Sequence, residues 1–302
     1  MISKQYLRQL QNLIGFIPEQ ETQGSDYIYP ASDEKTNQTL EELQDPGMRL
    51  REQTIYRDFL SNRRGLLIDF GCGTGANFKC FDCPENSDAV LLGMEPDPDR
   101  SQSAMSRLKL LQHIEGIVVN SDVSFLSKIP HDITIDSILC SQVLGHVSKA
   151  EMERILTAFA SSLSSGGQCL IAIPIVGEAF SVDPSSHGWK PGSDYLHLVN
   201  LSISPFEANY RTKVDDTYFN EIASHPQKDL LPVRCFWIEG LPLDMQINLP
   251  IKLGVDALPP TLKDLVESHF EVVDIYLYSI HKLQSDVVGV GDIFVALKPR
   301  SD

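Results

Sequence analysis

Leu66-Leu67-Ile68-Asp69-Phe70-Gly71-Cys72-Gly73-Thr74-Gly75 joins an apolar run to an acidic residue and three alternating glycines, and its reading decides the fold. The apolar half suits a strand buried on both faces of a parallel sheet. The glycines allow a sharp turn and leave no Cβ between the backbone and a ligand. A helix is expected to follow at once, turning its unpaired N–H groups and positive dipole end toward that ligand. The stretch therefore reads as a nucleoside-cofactor loop, with a glycine-rich turn that binds nothing as the alternative.

A dinucleotide loop spaces its glycines G-x-G-x-x-G, whereas Gly71, Gly73 and Gly75 alternate and Asp69 stands two residues ahead of the first. A carboxylate there would repel a pyrophosphate and attract a cation. D-x-G-x-G-x-G at the end of a strand resembles motif I of the class I S-adenosylmethionine (SAM)-dependent methyltransferases, whose cofactor carries a sulfonium and an amino acid in place of a pyrophosphate. The resemblance implies SAM as cofactor, with Asp69 attracting its cationic end or ordering its water.

Beyond the loop, strands expected at 89–94, 116–119, 133–140 and 168–173 alternate with helices at 103–112 and 150–163, a pattern that means a parallel sheet. A helix at 261–268 and strands at 270–279 and 292–298 close the chain, and the last two strands are expected to be antiparallel neighbours. The fold class expected is α/β, a doubly wound, mostly parallel seven-stranded sheet with an antiparallel last strand. That order of elements resembles the methyltransferase fold. Its SAM-binding domain would comprise residues 65–175 and 259–302.

Residues 176–258 are too many for an αβ loop and read as an inserted α+β subdomain for substrate recognition, with a helix at 215–223 and strands at 233–238 and 245–251. Residues 1–64 read as an N-terminal helical lid segment. It starts with an amphipathic helix over 5–15, continues as a polar loop over 17–37 with Tyr27 and Tyr29, and ends in a helical pattern over 39–62 interrupted near Pro46. The two tyrosines suit a cover over a pocket or packing onto the domain.

Ligands of open α/β sheets bind beyond the carboxyl ends of the strands, so the residues there are the candidates. The resemblance makes Glu95, after the second strand, the motif II acid that accepts both ribose hydroxyls; a solvated turn acid is the alternative. It makes Asp122 the acceptor of the adenine amino group, with the Val123 N–H meeting the ring, although Asp is also a favoured helix N-cap. Ser141 and Gln142 should lie beside the methionine moiety. His146 suits a general base by its ordinary pKa and a packing role equally. His187 and His197 stand in a glycine-rich loop that reads as a binding loop or as a surface turn, and they complete the catalytic candidates. With Asp183 or Asp194 they have the chemistry of metal ligands but no diagnostic spacing, so no metal is expected.

At 302 residues and 42% apolar, the chain can build a large core. Its formal net charge of −16 argues against a nucleic-acid partner, since such binding draws on Lys and Arg neutralising phosphates. Arg49, Arg51, Arg57, Arg63 and Arg64 are preceded by or interleaved with Glu41, Glu42, Asp45, Glu52 and Asp58, a mixture that reads as a solvated helix face. No apolar run approaches the roughly 20 residues of a membrane span, and no secretory signal opens the chain, so a cytoplasmic location is expected. Six cysteines read as free thiols, because the Cys80/Cys83 pair lacks the second half of a zinc site.

The expected function is methyl transfer from SAM to an O or N atom of a small-molecule acceptor, a metabolite or natural product. An RNA or protein methyltransferase is one alternative, and a non-catalytic SAM-binding regulatory protein the other. The sequence leaves the acceptor and the oligomeric state open.

Overall fold

The computed structural model describes residues 2–16, 46–178, 195–197, 233–239, 251–282 and 288–300. Helices α1 (Ile2–Phe16) and α2 (Pro46–Leu60) precede strand β1 (Gly65–Phe70). Strands β2 (Ala89–Met94), β3 (Glu115–Val119), β4 (Ile135–Ser141) and β5 (Gln168–Glu178) alternate with α3 (Pro98–Leu108), a 3-10 segment (Val123–Lys128) and α4 (Lys149–Ser162). Short strands β6 (Tyr195–His197), β7 (Val233–Glu239) and β8 (Ile251–Lys252) follow, then α5 (Pro260–Glu267), β9 (Phe270–Lys282) and β10 (Val288–Pro299).

The sheet order is β3-β2-β1-β4-β5-β10-β9-β8. Strands β1 to β5 pair in parallel, while β10 enters antiparallel between β5 and β9, which restores β9 to the direction of β5. The expected seven-stranded mixed sheet is therefore present, with the last two strands antiparallel. Two-residue β8 extends its edge. Beyond the end of β4, β7 runs parallel to the last four residues of β5 and carries β6 antiparallel on its far side. Of the expected insertion elements, the strand at 233–238 is observed as β7, whereas the helix at 215–223 lies outside the described residues.

Strand alternation sends Leu66, Ile68 and Phe70 into one core layer and Leu67 into the other. The first layer is covered by α1, α4 and α5, the second by α2, α3 and the short turn after the glycines. Helix α1 is integral to the first layer: Tyr6 and Leu10 are buried, and the Tyr6 hydroxyl accepts a hydrogen bond from the Thr134 N–H at 3.2 Å. The connection from β3 to β4 supplies the 3-10 segment, Ile129 and Ile133 to that layer but no α-helix, and α1 packs against β1, β2 and β3 instead. The loop with Tyr27 and Tyr29 lies outside the described residues.

The helix expected directly after the glycines is reduced to a single turn, Phe78–Phe81. Pro84 explains the stop, because the residue before a proline is driven out of the helical region, and Cys83 is extended at φ −121° and ψ 150°. Buried Asn86 then seals the end: its amide donates to Leu60 O and Phe81 O and its Oδ1 accepts from the Arg63 N–H. Helix α3, expected from 103, begins at Pro98, where Asp97 caps it by accepting from the Arg100 N–H at 2.9 Å.

Candidate active site at the carboxyl ends of the strands

Gly71, Gly73 and Gly75 have φ of +65°, +54° and +80°, the left-handed region that side chains disfavour. Two of these glycines answer different needs. A Cβ on Gly71 would meet Val143 Cγ2 at 2.4 Å, so that glycine permits close packing against the segment after β4. A Cβ on Gly73 would have nothing within 4 Å, so that glycine borders open space.

The loop is braced from β2. Glu95, 1% exposed, accepts the Gly73 N–H on Oε2 at 2.9 Å and the Asp97 N–H on Oε1 at 3.0 Å. A carboxylate has about four lone-pair sites, so bracing a loop and receiving a hydroxyl are not exclusive roles. Asn120, which sequence reasoning left without a role, donates to Glu95 O and Pro96 O at 3.0 and 2.8 Å and ties the ends of β2 and β3 together.

Asp69 is 1% exposed, and its Oδ2 has no hydrogen-bond partner. Burial, with the Glu95 charge added, pushes its carboxyl well above the ordinary range. Burial, with the charges of the same two acids added, pushes the neighbouring Cys72 thiol up. An unpaired buried acceptor is an exception among buried polar groups, which marks Asp69 out within the sheet.

Asp122 caps the 3-10 segment through the Ser124 N–H at 3.0 Å and bonds Arg154 at 3.1 Å. Partial burial acts to raise its pKa, but the bonds from Ser124 and Arg154 outweigh this and hold the carboxyl below the usual range. Val123 is buried beside it.

The carboxyl end of β4 holds a group the sequence did not disclose. The Ser141 and Tyr56 hydroxyls are 2.7 Å apart, and Gln142, at φ 58°, donates from Nε2 to Asp292 Oδ1 at 2.7 Å. Glu52 hydrogen-bonds to the same Asp292 carboxyl, which burial raises to about 6 against the lowering effect of Gln142 and Glu52. Glu52 is only 9% exposed, which corrects its reading as part of a solvated helix face. Its i, i+4 spacing with Tyr56 on α2 was the available signal.

His146 is half-buried in the turn Leu144–His146, which lies against β7. His187 lies outside the described residues; His197 ends β6 opposite Val233, and only its backbone is described. Among the described residues no group of three or more His, Cys, Asp or Glu side chains is arranged to hold a metal. Among them, too, no helix is long and apolar enough to cross a membrane.

A sequence profile described as a methyltransferase domain matches residues 37–197. No curated protein sequence matches the chain. Among solved structures, a 1,6-didemethyltoxoflavin N1-methyltransferase from Burkholderia thailandensis is similar at 12% identity, with 88% of this chain and 84% of that one covered and a TM-score of 0.49. A SAM-dependent methyltransferase from Methanosarcina mazei is similar at 13% identity, with 82% and 98% covered and a TM-score of 0.48. Both scores fall below 0.5, and the assignment rests on the profile.

Proposed function

The chain belongs to the class I SAM-dependent methyltransferases, and from that premise we propose that it methylates an O or N atom of a small-molecule acceptor, with Asp69, Gly71, Gly73, Gly75, Glu95, Asp122, Val123 and Ser141 holding the cofactor. The observation that carries this reading is the left-handed glycine loop after β1, in which Gly73 borders open space and is held by Glu95 at 2.9 Å. The acidic total, −16, favours a small acceptor over a polyanion.

When bound, SAM supplies a methyl group on a sulfonium, displaced in line with a neutral thioether as leaving group. The glycine loop gives that ligand room, and Glu95, which holds the loop at Gly73, is the carboxylate assigned to the ribose hydroxyls. Asp69, near the end of β1 and just before the glycine loop, is the residue assigned to the cationic end. Asp122 and Val123 flank the expected adenine site, and Ser141, fixed by Tyr56, borders the methionine end. Since no acid is needed for the leaving group, alignment in a dry crevice is the main contribution of the protein, of the order of 7–11 kcal/mol.

Calorimetric titration with SAM and with S-adenosylhomocysteine tests the cofactor site. Saturable binding of both, weakened in Glu95→Gln without loss of folding, supports the assignment. An unchanged affinity in the folded variant refutes the role of Glu95, and absence of binding in the parent chain refutes the site.

A further inference from the structure

We propose that Arg154 of α4 is a positioning residue of the adenine subsite: it fixes the orientation of the Asp122 carboxylate and so makes the site select a purine that presents an amino group. The inference rests on the SAM-dependent reading above, in which Asp122 receives that amino group, and it adds a residue from a helix that carries none of the motifs of the resemblance.

The sheet order β3-β2-β1 sets Asp122, Glu95 and the glycine loop in a row at the carboxyl ends of these strands. Asp122 stands at one end of the row, as the cap of the 3-10 segment Val123–Lys128. Helix α4 packs against that segment and brings Arg154 to Asp122 from 32 residues further along the chain. A carboxylate has about four lone-pair sites. Ser124 takes two of them, both on Oδ1, donating from its N–H at 3.0 Å and from its hydroxyl. Arg154 takes one on Oδ2, at 3.1 Å from Nη2. The site left over is on the oxygen that the guanidinium holds, and the side chain is 34% exposed, accessible to a ligand.

Arg154 is itself held. Glu151, one turn earlier, accepts from its Nε at 2.7 Å and from its Nη2 at 2.6 Å, the paired geometry that fixes a guanidinium plane. Ser148-Lys149-Ala150-Glu151 has the sequence of a capping box, and Ser148 does cap α4 by accepting the Glu151 N–H at 3.2 Å. In such a box the glutamate turns back to the N–H of the cap residue. Here both of its oxygens go to Arg154 instead. Ion pairs as exposed as this one, 46% at Arg154, add little to stability. What the paired guanidinium supplies is direction.

The ligand preference follows. At neutral pH a carboxylate only accepts hydrogen bonds. Its remaining site suits the exocyclic amino group of adenine and repels the carbonyl oxygen that hypoxanthine carries in the same position. A hydrogen bond to a charged group corresponds to about a tenfold to hundredfold difference in affinity.

The test is calorimetric titration with S-adenosylhomocysteine and with S-inosylhomocysteine, in which a carbonyl replaces the amino group. The parent chain should bind the adenine ligand about tenfold to a hundredfold more tightly. Arg154→Met keeps the apolar stem and should lower this ratio by about tenfold, the loss falling on the adenine ligand. Arg154→Lys keeps the charge without the paired geometry and should restore only part of the ratio. Asp122→Asn, whose amide can donate to a carbonyl, should invert it. If Arg154→Met does not fold, Glu151→Gln, which loosens the guanidinium, should lower the same ratio. An unchanged ratio in the folded Arg154 variant overturns the proposal, as does an equal loss for both ligands, the result of a purely structural tie between α4 and the 3-10 segment. Full restoration by Lys overturns positioning in favour of charge alone. An unchanged ratio in Asp122→Asn refutes Asp122 as the adenine acceptor, whereas a parent chain that binds neither ligand refutes the cofactor reading itself.

Discussion

A buried acceptor without a partner costs about 1–3 kcal/mol, and an ionised one costs more. Asp69 bears that cost in the absence of a ligand, so Asp69→Asn should raise the melting temperature of the ligand-free protein while weakening SAM binding. Its raised carboxyl contributes stability at low pH that is lost as pH climbs above the unfolded value, so the advantage of the variant should grow from about pH 4 upward. Calorimetric scans across pH check the sign; a variant less stable than the parent at every pH would refute this account of Asp69. Glycine substitutions separate space from backbone. Gly73→Ala adds a methyl group to open space at the expense of left-handed strain of about 1–2 kcal/mol and should chiefly weaken SAM. Gly71→Ala adds a clash with Val143 to the same strain and should be clearly less stable, as denaturant titration of the pair would show. These residues were legible because loop, acid and strand are contiguous. Glu52 and Asp292 were not, since they come from distant parts of the chain and only the folded sheet brings them together.

Elements were legible where one period dominates. The strands, the antiparallel closing pair and α4 follow from apolar runs and alternation, and their observed bounds differ from expectation by a few residues. The failures have local causes. Pro84 and the buried Asn86 cut the helix after the glycine loop to one turn, so the loop is held by the Gly73 N–H donating to Glu95 rather than by the first turn of a long helix. Replacing Asn86 by Ala strands the Arg63 N–H and two carbonyls and should destabilise the protein by about 1–3 kcal/mol, measurable by denaturant unfolding. Helix α1 was legible as amphipathic, but its partner face was not. Leu10 is fully buried, so Leu10→Ala should cost about 2–5 kcal/mol and leave SAM affinity unchanged in the folded fraction. A loss of SAM affinity without loss of stability would instead place α1 at the cofactor.

For the whole molecule, two kinds of charge set the dependence of stability on pH. The formal net charge of −16 is spread over the surface and opposes compaction, more so as pH rises. Asp69 and Asp292 are local: both hold a proton more tightly folded than unfolded, so the stability linked to them is present below about pH 4 and is lost as pH rises, through about 6 for Asp292 and as the raised Asp69 carboxyl ionises. Asp122 works in the opposite sense, since its lowered carboxyl withdraws stability only as pH falls below the ordinary carboxylate range. The melting temperature of the ligand-free protein should therefore be higher near about pH 5.5 than near about pH 8. Salt distinguishes the contributions, because the screening length at about 1 M is about 3 Å and reaches exposed charges far more than buried carboxyls. High salt should remove part of the pH difference, and the double substitution Asp69→Asn with Asp292→Asn should remove the remainder. If salt alone abolished the difference, the two carboxyls would not be energetically buried, and the raised proton affinities of Asp69 and Asp292 would not come from desolvation.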